Sequence, residues 1–158
     1  MEQLDHKDVE ILKLLQTNCK MTAKEIARKI GSPITTVYAK IKRMEQLEII
    51  KHYKAVLDSR KLDIGTTAFL LVSFAYRPGG REKPLSQRDI AKQISAFPEV
   101  QEVHVITGDW DILIKIKADH VDTLGKFVMD KLRMVEGIEK TLSCIVYETV
   151  KETTDIIA

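Results

Sequence analysis

Residues 22–43 read Thr22-Ala23-Lys24-Glu25-Ile26-Ala27-Arg28-Lys29-Ile30-Gly31-Ser32-Pro33-Ile34-Thr35-Thr36-Val37-Tyr38-Ala39-Lys40-Ile41-Lys42-Arg43. Thr22 and Glu25 have the spacing of a capping box, in which hydroxyl and carboxylate each satisfy the other's backbone amide at a helix start. Ile26, Ala27 and Ile30 make one inward side, and Gly31 suits the left-handed residue that stops a helix. Ser32 is expected to cap the next helix, with Pro33 at its first position, where the missing N–H is harmless. In that helix Val37, Ile41 and Met44, led by Ile34, recur at helical spacing and face inward. Two capped helices joined by a tight Gly-Ser turn are the helix-turn-helix arrangement.

The rest of the second helix is Thr35, Thr36, Tyr38, Ala39, Lys40, Lys42 and Arg43, expected to cover its outer surface. Hydroxyls, a phenol, cations and one small residue are the groups that bond phosphates and base edges when a helix lies in a major groove. Thr35, Thr36, Tyr38, Lys40, Lys42 and Arg43 are therefore the candidate DNA-binding residues. Charge reversal at Lys40 or Arg43 is expected to weaken binding to double-stranded DNA without unfolding. In a dimer, two such helices would read half-sites about 34–36 Å apart. The alternative is a three-helix packing module whose polar face merely meets water.

Upstream, Leu4-Asp5-His6-Lys7-Asp8 announces another helix. Asp5 can cap its first amides, Asp8 adds negative charge at the positive end of the dipole, and Ile11, Leu12 and Leu15 form the stripe. Downstream, Ile49 to Leu57 is β-prone and reads as an exit strand. Asp58-Ser59-Arg60 breaks it, and a hinge is expected over 58–65, closed by Gly65.

The 158 residues favour one or two domains, and with 44% hydrophobic and 30% charged residues the chain can bury a core. Disorder and low complexity are excluded. Met1-Glu2-Gln3-Leu4-Asp5 shows no basic region before an apolar run, and no stretch is long enough to span a bilayer, so a cytoplasmic protein without a membrane partner is expected. Two cysteines, Cys19 and Cys144, make neither a disulfide framework nor a metal cluster. A single Asn among many Ile, Glu and Lys hints at a hot environment. The net charge of +2 conceals an asymmetry. Residues 1–61 hold 13 basic against 8 acidic side chains, the remainder 12 against 15. A basic third on a mildly acidic body points to a polyanion.

From Thr66 a βαβ pattern is written twice. Thr66–Tyr76 reads as a strand buried on both faces, broken by Arg77-Pro78-Gly79-Gly80-Arg81. Ser86 caps a helix with Ile90, Ala91, Ile94 and Phe97 inward, ended by Pro98. Strands follow over 100–107 and 112–117, separated by Gly108-Asp109-Trp110-Asp111. A helix from Asp119 carries Val121, Leu124, Phe127, Val128, Leu132 and Val135; Gly137 ends it, and the last strand runs over 138–150. The order implies an α+β ferredoxin-like βαββαβ sandwich, helices on one face of an antiparallel four-stranded sheet. An uncovered apolar sheet face marks a partner surface, so at least a homodimer is expected. The boundaries are 1–57 for the DNA-binding domain with its exit strand, 58–65 for the hinge and 66–158 for the second domain.

These residues together resemble the Lrp/AsnC (feast/famine) family of transcription regulators, of the archaeal type. Leu4-Asp5-x-x-Asp8-x-x-Ile11-Leu12-x-x-Leu15-Gln16 resembles the family's first helix. Ser32-Pro33 through Val37, Ile41-Lys42-Arg43-Met44-Glu45 and Ile49-Ile50 resemble its recognition helix and exit strand. Thr107-Gly108-Asp109-Trp110-Asp111 resembles its effector loop, and Thr141-Leu142-Ser143 its final-strand polar pair. The resemblance implies a winged-type helix-turn-helix joined by a hinge strand to an effector (RAM) domain. It also implies dimers assembling into larger rings, commonly octamers, with an amino acid bound between effector domains. Two residues depart from the pattern: Lys40 where Arg is usual on the recognition helix, and Glu48 where Gly usually follows it. A non-Gly residue in a left-handed turn costs about 1 kcal/mol or more.

The candidate effector-binding residues are Gly108, Asp109, Trp110, Asp111, Thr141 and Ser143. Gly108 lets the backbone approach a carboxylate closely. Asp111 can pair with an ammonium, and Thr141 and Ser143, two apart on a strand, share a face and can donate. Individually, Gly-Asp is an ordinary hairpin signal, strand Thr and Ser are β-prone, and Trp110 is a packing residue or a reporter of ligand arrival. Catalysis is not expected: the four histidines lack metal spacing, and nucleophile-elbow, phosphate-loop and dinucleotide motifs are missing. His104 with Asp109 or Asp111 is the one conceivable acid–base pair. No cofactor is expected besides an amino-acid effector. Two alternatives remain, a sequence-tolerant architectural DNA protein without effector and a tetrapyrrole decarboxylase on the same architecture.

Overall fold

The computed structural model describes residues 4–80 and 82–156. Met1-Glu2-Gln3, and Arg81 of the expected turn, lie outside them. The chain forms two compact units: the described residues of Met1–Leu57 together with Lys151–Ala158, and Asp58–Val150.

In the first unit α1 spans His6–Thr17, α2 Ala23–Ile30 and α3 Ile34–Gln46. Ile11, Leu15, Ile26, Ala27, Val37 and Met44 are buried between them, with Ile30, Ile41 and Ile50 packed alongside. The Thr22–Glu25 capping box is present in both directions, and Gly31 closes α2 at φ 60°. That left-handed turn is where glycine's freedom is needed, because a side chain there meets its own carbonyl. The cap of α3 differs from expectation. Its N-cap position is Pro33, without a side-chain hydrogen bond, and the Ser32 hydroxyl is buried without a partner. Ser32 instead belongs to the end of α2, its N–H donating 3.0 Å to the Ala27 carbonyl.

Asp8 is fully buried. Asp5 and Asp8 form a reciprocal capping box, each backbone N–H donating 2.9 Å to the other's carboxylate. The Asp8 carboxylate then accepts from Lys40 Nζ at 3.1 Å and from Arg43 Nη2 at 2.7 Å, while Lys40 also pairs with Asp5. The Lys40 hydrogen bond is the main reason the Asp5 carboxyl is lowered to about 2. One acidic pair at the start of α1 thus holds two cations of α3.

After α3 the chain turns at Glu48, whose φ is 54°. The N–H groups of Ile49 and Ile50 return to the Met44 carbonyl at 2.9 and 3.1 Å. The departure at Glu48 is therefore a left-handed residue with a side chain. The exit strand is not formed: residues 51–57 have no regular structure and are exposed, because a β-run with no neighbouring strand has no ladder to join. At the other terminus, the Gln16 side-chain amide grips Ile156, donating 3.0 Å to its carbonyl and accepting 2.6 Å from its N–H. The described residues of Lys151–Ala158 therefore group with the first unit, not with the second as the sequence suggested.

In the second unit the segment expected as a hinge contains a 3-10 turn, Ser59–Leu62. The strands are β1 Thr66–Phe74, β2 Val100–Val105, β3 Ile112–Ala118 and β4 Ile138–Ile145. They form one antiparallel sheet in the order β2-β3-β1-β4. α4 spans Gln87–Ser95, capped by Ser86 as expected. α5, Val121–Lys126, continues through a π-helical turn, Phe127–Lys131, and a 3-10 turn, Leu132–Met134. The helices cover one face, burying Ala68, Leu70, Val72 and Phe74 with Ile112, Ile114, Ile116, Ile90, Ile94 and Leu132. On the opposite face Phe69, Leu71 and Leu113 are half-buried and Leu142 is exposed. β1 is thus buried fully on one face only. β4 also stops at Ile145, short of 150: the Val146 N–H still donates 2.9 Å to the Thr67 carbonyl, but β1 begins at Thr66, so the residues that follow have no ladder to join.

Two stability outcomes follow from the first unit. Asp8→Asn leaves Lys40 and Arg43 facing an amide, and should destabilise the helical unit by about 2–4 kcal/mol, somewhat below the usual loss because both cations can reach water. Urea denaturation followed by circular dichroism checks this, and an unchanged midpoint would remove the buried pair as a determinant. Glu48→Gly relieves the left-handed residue and should raise stability by about 1 kcal/mol.

Candidate functional site

At 100° per residue the core of α3, Val37, Ile41 and Met44, is diametrically opposed by Thr35, Ala39, Lys42 and Gln46. These four are exposed, as is Tyr38. Lys40 and Arg43 are placed differently. The Lys40 side chain is only 16% exposed and is turned towards Asp5 and Asp8, and Arg43 is half-buried on Asp8. Thr36 is half-buried too. The expectation that all six candidate DNA-binding residues cover the outer surface holds for Thr35, Tyr38 and Lys42, not for the other three. For Lys40 and Arg43 the physical reason is Asp8: a carboxylate without water draws the nearest cations inward. Its signal was legible, since Asp8, Ile11 and Leu15 share one helical stripe, placing the acid at a buried position. Thr35, Thr36, Ala39, Lys40 and Arg43 line a shallow open depression on α3. The two cations therefore share the lining of a concave surface with small and hydroxylic side chains, and Lys42 and Tyr38 lie outside that lining.

The second cluster lies at one end of the sheet. Val72 of β1 pairs with Ile112 of β3 on one side and with Thr141 of β4 on the other. The Gly108–Asp111 loop and Thr141 are thereby brought to the same end. Gly108 has φ 120° and open space around its Cα, a conformation that keeps the loop backbone bare. Asp109 is exposed and Trp110 half-buried.

Asp111 bolts the loop down. Its N–H donates 2.9 Å to the Val72 carbonyl and its Oδ2 accepts 3.1 Å from the Phe74 N–H, where a register shift interrupts the β1–β4 ladder. Its carbonyl accepts from Gln87 Nε2 at 2.8 Å and from the Ile106 N–H at 2.9 Å. Asp111 therefore has a structural duty that the sequence reading missed, so Asp111→Ala would disturb the loop as well as any ligand. Thr141 Oγ1 accepts from Arg133 Nε at 3.3 Å and Nη2 at 3.2 Å, and Ser143 is exposed. Arg133, absent from the candidate set, belongs to this cluster; a helix residue eight positions before Thr141 carries no periodic signal that would single it out.

His104 does not meet Asp109 or Asp111; its Nε2 lies 3.3 Å from Glu102 on its own strand. Lys115 Nζ holds the same carboxylate at 3.2 Å, on the sheet face away from the helices. Among the described residues no group of three metal-ligating side chains occurs, and no helix is long and apolar enough to cross a membrane. Cys19 and Cys144 are free thiols.

Because Lys42 is exposed without pairing to Asp8, Lys42→Glu should weaken DNA affinity in gel shifts while leaving the melting temperature unchanged, and should reduce the salt slope by about one to two. Lys40→Glu should instead lower the melting temperature, as it sets a third carboxylate beside Asp5 and Asp8. Wild-type affinity that is flat between about 50 and about 200 mM salt would contradict a phosphate-contacting face.

Residues 4–51 match the model of a winged helix-turn-helix DNA-binding domain, and residues 67–156 that of the Lrp/AsnC ligand-binding domain. A helix-turn-helix transcriptional regulator of Pyrococcus abyssi is 38% identical over 151 residues, 96% of this chain and 97% of that protein. The transcriptional regulator FL11 of Pyrococcus horikoshii is 31% identical over 97% of this chain and 95% of its own. Among solved structures, a transcriptional regulator of Neisseria meningitidis in complex with L-Met superposes with a TM-score of 0.88 at 26% identity, covering 98% of this chain and 96% of that one. AsnC of E. coli shares the fold, with a TM-score of 0.85 at 21% identity over 97% of this chain and 98% of its own. With a DNA-binding helix-turn-helix and a ligand-binding domain each matched in order along it, this chain belongs to the Lrp/AsnC family of transcriptional regulators, and its relatives in Pyrococcus make it one of the archaeal type.

Proposed function

We propose that this DNA-binding regulator is sequence-specific and that its assembly responds to a small α-amino acid bound by the second unit. The observation that carries the reading is the convergence of the bare Gly108 backbone and the Thr141 hydroxyl at one end of the sheet. Loop amides around Gly108 suit a carboxylate, and hydroxyls on β4 suit the far end of the ligand. The Neisseria relative was crystallised with L-methionine, an α-amino acid, which supports the same class of ligand here.

Assembly is read from the other sheet face. Phe69, Leu71, Leu113 and Leu142 share the side away from the helices, and an apolar patch of that kind is stabilised by a second copy. Homodimers built on it, associating further towards the octamer that the family resemblance implies, would place effector sites between second units. A ligand that prefers one assembly shifts the population only by its differential affinity, and so respaces the DNA-reading helices. The work is binding rather than catalysis, in keeping with relatives that are transcriptional regulators.

Light scattering of the full chain, with Trp110 fluorescence during titration of the twenty amino acids, tests both parts. At least one amino acid should change Trp110 emission and oligomer mass together, and Leu71→Asp should reduce the mass to that of a monomer. A monomeric wild type would overturn the assembly reading. Discrimination of promoter over random DNA with no amino acid altering fluorescence, mass or affinity would overturn the effector reading alone.

A further inference from the structure

Arg133 is exposed on the 3-10 turn before β4 and lays its guanidinium against Thr141, Nε and Nη2 both donating to Oγ1. Among the described residues no carboxylate is paired with it, in contrast to Lys40, Arg43, Lys115 and Lys131, each of which meets an acid. A hydroxyl oxygen that accepts two N–H groups has used its lone pairs, so the Thr141 proton is directed elsewhere, and the adjacent cation polarises it. Arg133 keeps three of its five N–H donors. Ser143, two residues along β4 on the same face as Thr141, adds a second exposed hydroxyl.

A cation, a donor hydroxyl and a second hydroxyl with no anionic acceptor among them suit a carboxylate, which takes charge-assisted hydrogen bonds from a guanidinium fork. They suit an ammonium poorly. Val72 lies between Ile112 and Thr141 in the sheet, so two strand spacings, roughly 10 Å, separate Thr141 from Ile112, the residue at which the Gly108–Asp111 loop enters the sheet. That is a span which an amino acid held by its α-groups at the loop can bridge with its side chain and the long arm of Arg133.

We propose that Arg133, with Thr141 and Ser143, is the specificity-determining end of the effector site and selects amino acids whose side chain ends in a carboxylate. The proposal rests on the amino-acid reading above and names the ligand class of that site.

Calorimetric titration of the full chain with L-glutamate, L-aspartate, L-glutamine, L-asparagine, L-methionine and succinate tests it, in the wild type, Arg133→Gln and Arg133→Lys. An acidic amino acid should bind roughly ten- to a hundredfold more tightly than its amide. Arg133→Gln, which keeps a donor for Thr141, should abolish that ratio, and Arg133→Lys should restore part of it. An acid-to-amide ratio unchanged in Arg133→Gln, or tighter binding of methionine or an amide, overturns the proposal and leaves the amino-acid reading standing. Arg133-dependent binding of succinate without any amino acid supports carboxylate selection and overturns the amino-acid reading. Failure of all six to bind overturns the carboxylate selection, and the amino-acid reading falls with it only if none of the other amino acids binds either.

Discussion

The DNA-binding unit depends on a carboxylate that has no access to water. Asp8 is fully buried at the first turn of α1, and a charge there is tolerable only if it is paired and hydrogen-bonded. Lys40 and Arg43 supply the pairing, and the Asp5 N–H of the capping box supplies a backbone bond. The same bonds fix the rotation of α3 against α1. Val37 and Met44 then point into the core, while Thr35, Ala39 and Lys42 point away from it. The orientation of the outer face of α3 is thus set by an ion pair at its edge as much as by the apolar stripe beneath it.

That arrangement changes the meaning of the charge asymmetry. The first 61 residues carry an excess of basic side chains, yet two of the cations on α3 are committed to internal acids. Free positive charge on that helix is carried by Lys42, with the exposed Lys24, Arg28 and Lys29 on α2. Lys40 and Arg43 still line the depression on α3, but held by internal acids rather than as free arms.

In the second unit the governing constraint is a sheet with helices on a single face. Alternation along β1 and β3 sends every second residue into the core and leaves the others half-buried on the far side. The sheet order β2-β3-β1-β4 also gathers residues distant in sequence, the 108–111 loop, Gln87, Arg133 and Thr141, at one end. The interrupted ladder at Phe74 leaves an amide for Asp111, and that bond anchors the loop where β1 ends.

Local chemistry was enough to read the Thr22–Glu25 capping box, the Asp5 cap, the Gly31 turn, the three-helix order, the twice-written βαβ pattern and the Gly108 loop, because each depends on residues within a few positions of one another. The left-handed turn at Glu48 was legible for the same reason, as its cost is a property of one residue. What the sequence could not decide involved partners far along the chain. Ile49–Leu57 has strand composition, but a strand exists only when another offers its amides and carbonyls. Lys40 and Arg43 have the chemistry of phosphate binders, but a buried carboxylate some thirty residues earlier claims them. Asp111 reads as a ligand for an ammonium, yet an amide on another strand takes one of its oxygens. Periodicity and capping are local and survive in one dimension; the allocation of charges and hydrogen bonds is settled only when folding removes water and makes each unpaired group costly.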